Sequence, residues 1–422
     1  SGKDGIQMVK GWVECPITEV LKAGGIKIGP FGSQLKKEML LSDGLYRVYG
    51  QENVYEHDFS LGDRYLTRDH FNRLSSCEIL PGDFVMSTMG TIGKCAIVPP
   101  SIQRGIMDSH LIRLRFDDKK IRPDYMLQLF SDQYHYLSDQ TARLAVGGIM
   151  DGLSVGIVSR LNVVYPESLE EQRRIIDTLS EADTLITDLQ NLIRKKKDIR
   201  QGTMQMLVTG KRLDGYSGKW EATTLNNLCK LITKQTGFDY SAEIKPSLVT
   251  EEQIGTFPFI QNKDFEGFDI NYNTDFYIPY DVAIKYPKIL LDEVCLLISI
   301  SGRIGNVARF DNRYEAFAGG AVGIAKLYDP SLVEWCTLYL QSSAGQGQIF
   351  SHEKVGAQHN LTVEDVRRLE IRLPEKRERE EIVEIMGDID LEIHKLEEKL
   401  SKYQKVKQGM MEELLTGKVR LV

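Results

Sequence analysis

The chain is poor in the features that announce chemistry, export or membrane insertion. Its six cysteines (Cys15, Cys77, Cys95, Cys229, Cys295 and Cys336) lie far apart with no C-x-x-C pair. That excludes the usual spacing of a zinc site and the framework of a disulfide-rich secreted domain, so reduced thiols are expected. No apolar run reaches the roughly 18 residues of a membrane span, and the N-terminus lacks the charged-then-apolar order of a signal peptide. A cytoplasmic protein with no membrane partner is expected. Neither G-x-x-x-x-G-K-[ST], H-E-x-x-H nor a dinucleotide fingerprint occurs, and the Asn/Asp-Pro-Pro-aromatic motif of amino-methyltransferases is absent too. Of seven histidines, His57, His70, His110 and His135 are scattered, and His359 sits in the polar run GAQHN, which suits a contact surface better than a metal. No catalytic residue and no metal site is expected. Positive charge is also scarce: 53 Lys and Arg against 60 Asp and Glu leave a net charge of −7. A nucleic-acid ligand would have to be held by local basic residues or with help from partner subunits.

What is present is an ordinary globular composition, 42% hydrophobic and 27% charged, in 422 residues, so a real core and two or three domains are expected. An internal repeat organises the chain. PESLEEQRRIIDTLSEAD (166–183) resembles PEKREREEIVEIMGDID (374–390), with Ile175 matching Ile382 and Asp183 matching Asp390 at one offset of 207. The same offset carries QGTMQMLVTGK (201–211) onto QGMMEELLTGK (408–418). Upstream the echo is weaker but ordered: Trp12 with Trp220, GTIG (90–93) with GRIG (302–305), and RLNVVYP (160–166) with RLEIRLP (368–374). The front part of each copy diverges and the back part is retained.

The retained parts have helical periodicity. Met386, Ile389, Ile393, Leu396, Leu400, Tyr403, Met410 and Leu414 alternate spacings of three and four, interrupted only at Lys407; Ile175, Leu179, Ala182, Ile186, Leu189 and Ile193 do the same. Pro166 and Pro374 suit helix starts and the Thr-Gly pairs at 209–210 and 416–417 suit stops. Rods of about forty residues span roughly 60 Å and need a partner along their length. The nearest is the other copy, and the economical arrangement is antiparallel. The plainer alternative is a long helix packed on its own domain. The RKKK run at 194–197 reads as a solvated face, or else as a contact to DNA phosphates.

The divergent parts, 10–165 and 219–373, read as mixed α/β domains rich in short antiparallel strands, with helical patches at 122–138 and 330–345. GTIGK (90–94) and GRIGN (302–306) are tight glycine turns, either structural hairpins or loops that bring Lys94 and Arg303 to DNA.

This layout resembles the specificity subunit of type I restriction-modification systems: a variable domain, a helix opening P-x-x-x-x-E-Q-R-x-I (Pro166 to Ile175) and closing in L-x-T-G-K, then the same again. GPFGSQLKKE (29–38) also looks like the opening of one of that family's target-recognition domains. The resemblance covers essentially the whole chain after SGKDG. One departure is that the second helix reads RERE (377–380) where the first has EEQR, so the Glu-Gln signature is lost there and symmetric partner contacts are least secure. The resemblance implies an α+β fold with two similar globular α/β target-recognition domains (10–165 and 219–373). They are separated by two long helices (166–210 and 374–418) that form an antiparallel coiled coil with a pseudo-two-fold internal repeat. It implies a non-catalytic subunit that recognises double-stranded DNA, each domain reading half of a bipartite asymmetric site, with the helices acting as spacer and as dock for two methyltransferase subunits, and restriction subunits completing the enzyme. S-adenosylmethionine, ATP and Mg would belong to those partners, none to this chain.

Base readout favours Arg and Lys on guanine and Asn and Gln on adenine. On that ground the candidate DNA contacts are Lys36, Lys37, Arg47, Lys94, Arg104 and Arg143 in the first domain. In the second they are Lys234, Gln261, Asn262, Lys263, Arg303, Arg313, Gln358 and His359. Coiled-coil and partner contacts are expected at Ile175, Leu179, Ile186, Leu189, Met386, Ile389, Ile393, Leu396 and Leu400. The competing readings are a stand-alone two-domain DNA-binding regulatory protein, a fused restriction-methylation enzyme, and a coiled-coil scaffold that binds only proteins.

Overall fold

The computed structural model describes residues 9–144, 152–209, 213–235, 240–351 and 360–421. The chain divides into two units, one made of residues 1–191 with 398–422 and the other of residues 192–397. Both boundaries fall inside the long helices Leu169–Thr209 and Lys376–Leu414, so each unit owns one globular part and a stretch of each helix.

In unit 1 a four-stranded antiparallel sheet runs in the order Leu21–Ile28, Leu111–Phe116, Phe84–Ser87, Cys95–Ile97. A second runs Tyr65–Leu66, Tyr46–Tyr49, Gly105–Met107, Glu78–Ile79, with one parallel pair, Tyr46–Tyr49 beside Gly105–Met107. A two-stranded ribbon joins Trp12–Pro16 to Asn162–Pro166. Unit 2 repeats this order strand for strand. Its first sheet runs Cys229–Lys234, Val322–Leu327, Cys295–Ser299, Val307–Phe310, and its second Tyr277–Pro279, Thr256–Ile260, Ala316–Ala318, Leu290–Leu291. The parallel pair recurs between Thr256–Ile260 and Ala316–Ala318, and the ribbon between Glu221–Thr224 and Glu370–Leu373. The divergent sequences therefore keep a single topology.

The inner strands explain themselves. FVMS (84–87) and CLLIS (295–299) are buried along their whole length. Side chains alternate across a strand, so Phe84 and Met86 enter one core while Val85 enters another. Likewise Leu296 and Ile298 part company with Cys295 and Leu297. A strand covered on both faces reads as a continuous apolar run rather than an alternating one. The helical patches are Pro123–Leu129 and Tyr136–Leu144 in unit 1, and Val333–Gln341 and Ser343–Ser351 in unit 2.

The long helices run antiparallel in each unit. In unit 1, Ile175 and Leu179 share a core with Met411, Leu414 and Leu415. In unit 2, Met204 and Val208 share one with Ile382 and Met386. The apolar seam residues serve the chain's own interior: Ile175, Leu179, Leu189, Met386 and Ile393 are buried, and Ile186, Ile389, Leu396 and Leu400 half-buried. In the RKKK run Arg194, Lys195 and Lys197 are exposed, and the run also ties the two long helices together, Lys196 pairing with Glu392 and Lys197 with Glu397, each at 2.7 Å.

Gln172 of the E-Q-R motif is wholly buried. Its amide nitrogen donates to the carbonyls of Lys120 (3.0 Å) and Pro166 (2.9 Å), and its oxygen accepts from the backbone N–H of Arg122 (2.9 Å). It stitches the helix start to its own globular part, so Gln172 is not free to meet a partner. At the 207 offset the buried Glu171 matches the buried Glu378, while Gln172 is replaced by Arg379 and the exposed Arg173 by Glu380.

Candidate nucleic-acid interface

The two glycine turns close the hairpins Phe84–Ser87/Cys95–Ile97 and Cys295–Ser299/Val307–Phe310, and the same hydrogen bonds hold both. The Ser87 hydroxyl donates to the carbonyl of Thr91 (2.6 Å) and accepts from the N–H of Lys94 (3.0 Å). The Ser299 hydroxyl donates to the carbonyl of Arg303 (2.7 Å) and accepts from the N–H of Asn306 (2.8 Å). Gly90, Gly93, Gly302 and Gly305 all have positive φ, between 67° and 87°, a region a side chain disfavours. The following chain crosses each hairpin base at an equivalent point, Leu153 N–H to Thr88 O and Leu361 N–H to Ile300 O, both 2.8 Å. Further braces differ. In unit 1 the Tyr55 hydroxyl donates to Met89 O and accepts from Thr91 N–H. In unit 2 the Asn262 amide donates to Ser301 O (2.6 Å) and the Gln346 amide to Gly305 O (2.9 Å).

The frame is shared and the side chains on it are not. Arg303 is exposed and makes no ion pair among the described residues. Lys94, four residues beyond Gly90, pairs with Asp132. Lys36 and Lys37 are exposed at the turn Lys37–Met39, Arg143 is exposed on the helix Tyr136–Leu144, and Lys234 is half-buried at the end of its strand. Gln261 opens a turn in which its N–H donates to the Asp264 carboxylate (2.7 Å), and burial raises Asp264 above the usual carboxylate range. Lys263 pairs with Asp275. Arg313 meets Asp311 at 3.0 Å. Burial pushes Asp311 upward, yet hydrogen bonds from Tyr272 and from the backbone of Arg313 hold it below the ordinary value.

Three candidates are occupied with structure. Arg47 is buried, and its guanidinium donates to the carbonyls of Ser60 (2.6 Å) and Gly62. An Arg so enclosed holds a loop against its strand and is not a reader. Arg104 pairs with Glu78 at 2.7 Å and lies over the Phe71 ring at 4.9 Å. The Asn262 amide oxygen is buried and its nitrogen committed to Ser301, so this side chain braces the turn. Gln358 and His359 lie outside the described residues.

Burial also settles the thiols. All six cysteines are free and buried, and burial pushes the Cys229 thiol up to about 12 and raises Cys95, Cys295 and Cys336 further. Such thiols are poor nucleophiles and poor ligands. Among the described residues no group of three or more His, Cys, Asp or Glu is placed to hold a metal ion, and no helix is long and apolar enough to cross a membrane.

The family model for the type I restriction modification DNA specificity domain matches twice, over residues 10–200 and 217–403. A type I restriction enzyme MjaX specificity subunit from Methanocaldococcus jannaschii is 24% identical over 372 residues, which is 82% of this chain and 81% of that protein. Among solved structures, the S subunit of a type I restriction-modification system from M. genitalium aligns over 98% of both chains with a TM-score of 0.55 and 14% identity. A chain from a study of complex assembly and conformational transition in a type I R-M system aligns over 98% of this chain and 100% of that one, with a TM-score of 0.58 and 15% identity. These two share the fold.

Proposed function

The chain belongs to the type I restriction-modification DNA specificity family, and on that premise we propose that its globular parts each read one half of a bipartite, asymmetric DNA site. The observation that carries this reading is the pair of hairpins: one hydrogen-bonded frame, built twice, presenting Thr91 and Lys94 in one copy and Arg303 and Asn306 in the other. A recognition scaffold needs constant geometry with variable side chains, because base edges are distinguished by donor and acceptor pattern while phosphates only position. The readers favoured by exposure are Lys36, Lys37 and Arg143 on the first domain and Lys263 and Arg303 on the second.

The chain is a subunit without chemistry of its own in this proposal. S-adenosylmethionine, ATP and Mg belong to methyltransferase and restriction partners, and the two long helices act both as the spacer that sets the gap between half-sites and as the dock for two methyltransferase subunits. The seam leucines are spent on the interior, so the dock includes the exposed apolar stripe Leu192, Ile199 and Met206, spaced by seven along one face of the first long helix within unit 2. Partner subunits would add phosphate contacts that a chain of net charge −7 lacks.

The test is domain exchange in the complete system. Residues 10–165 are replaced by the corresponding domain of another family member, and methylated adenines are mapped in cellular DNA. One half-site should change while the other half-site and the gap stay. An unchanged site would sink the reading and favour a protein-only scaffold.

A further inference from the structure

Within the apolar seam of the long helices the structure places two ion pairs, and the repeat relates them. In unit 1, Lys407, only 4% exposed, donates to Asp183 and to Gln133, both at 2.5 Å. In unit 2, Arg200 binds Asp390 with two nitrogens, Nη2 at 2.9 Å from Oδ2. At the 207 offset Asp183 becomes Asp390 and Arg200 becomes Lys407, so each helix supplies one acid and one base, and the partner numbers add to 590 in both pairs.

A heptad seam alone does not fix this alignment. Apolar residues that recur every seven positions meet apolar residues again after a slip of one heptad, roughly 10 Å along the axis. The ion pairs do not survive it. In one direction Asp183 would face Leu400 and Asp390 would face Ile193, with Lys407 against Ile176 and Arg200 against Val383. In the other, Asp183 would face Leu414 and Asp390 would face Leu207, while Lys407 would face Gln190 and Arg200 would face Glu397. Either slip leaves both half-buried aspartates opposite apolar side chains, and the first leaves Lys407 and Arg200 so as well, which is unfavourable. Replacing such a pair with apolar residues is often neutral or stabilising, so net stability is a poor reason for its presence, whereas register is a sufficient one.

We infer that the Asp183–Lys407 and Arg200–Asp390 pairs are the register lock of the long helices, positioning residues that select one alignment from the several the apolar seam would accept. Resting on the proposed spacer role, the lock also determines the length of the non-specific gap between half-sites. A one-heptad slip corresponds to about three base-pair steps at ~3.4 Å each.

The experiment uses the full chain with spin labels at cysteines replacing the exposed Glu181 and Lys405, the native thiols being buried. Distances are measured by pulsed electron resonance in three backgrounds: native, D183L/K407L/R200L/D390L, and the charge exchange D183K/K407D/R200D/D390R. The native and charge-exchanged chains should each give a single distance. The leucine variant should give at least two, with a new population of 20% or more. A single unchanged distance in the leucine variant overturns the lock. Should that variant fail to fold, a charge-exchanged chain that folds but splits its distances overturns it equally. Methylation mapping in the complete system then separates the two ideas. A split distance with a second gap length supports both, and a split distance with an unaltered gap keeps the lock but removes the spacer reading.

Discussion

Unit 1 and unit 2 enclose matching tryptophans by different means, and the contrast shows which parts of a duplicated fold are free to change. In unit 1, Trp12 is buried under Gly417, whose φ is +74°, and Arg420 ties the chain's end to its beginning through the Glu171 carboxylate (2.5 and 2.6 Å) and the carbonyl of Lys10 (2.6 Å). In unit 2 the corresponding Trp220 packs edge-on against Trp335 at 5.4 Å and donates its indole N–H to the buried Glu378 at 3.2 Å. The Trp12 indole nitrogen is buried with no hydrogen-bond partner among the described residues. The buried glutamate is common to both units, but one is satisfied by an arginine from the last turn of the chain and the other accepts from the tryptophan itself.

The largest effect should come from breaking the unit 1 closure. A Cβ at Gly417 would lie 2.8 Å from the Trp12 ring, in a backbone region unfavourable for any side chain. Gly417→Val should therefore destabilise unit 1 by about 2–4 kcal/mol through strain and overpacking. Hydrogen exchange should show protection falling across residues 9–144 while residues 213–235 and 240–351 keep theirs. Equal loss in both regions would mean that the units do not unfold separately.

A smaller effect distinguishes the tryptophans. Trp220→Phe removes a hydrogen bond to a buried carboxylate, whereas Trp12→Phe removes a donor that has none. Beyond the similar loss of ring area, Trp220→Phe should cost about 1–2 kcal/mol more, measured by denaturant unfolding of each variant. Equal costs would show that the Glu378 contact contributes nothing net.

This contrast also explains what could be read before any coordinates. The 207 offset located both helices because coiled-coil periodicity is local, carried by residues such as Ile175 and Leu179 whose spacing is visible in one stretch of chain. Lys407 was visible as a break in that seam, but its meaning was not, since Asp183 and Gln133 lie 224 and 274 positions away. The same distance problem limited the candidate readers. Arg47 and Arg104 have the composition of DNA contacts, yet Ser60 and Gly62 reach Arg47 only once Tyr65–Leu66 has paired with Tyr46–Tyr49, and Glu78 reaches Arg104 only once its strand has paired with Gly105–Met107. The Glu-Gln motif was tied to partner contacts through the family resemblance alone, whereas Gln172 turns inward to carbonyls that only the fold brings near. Side-chain commitments, unlike periodicity, are a tertiary property.

The smallest predicted effect sharpens the comparison at the hairpins themselves. Arg303 is exposed and without an ion pair among the described residues, whereas Lys94 is paired with Asp132. Because the Ser87 and Ser299 frames match, alanine at either position should leave stability within about 0.5 kcal/mol, the usual range for surface sites. DNA affinity of the assembled enzyme should respond unequally. Arg303→Ala removes a free cation, and if that cation meets a phosphate the slope of log affinity against log salt should fall by about 1. If it meets a guanine instead, the loss of roughly 1–3 kcal/mol should concentrate at one base position. Lys94→Ala should change affinity less, because the lysine must first leave Asp132, and Asp132→Ala should then increase binding by freeing it. Identical responses at Lys94 and Arg303 would mean that the two hairpins approach DNA in the same way despite their different side chains.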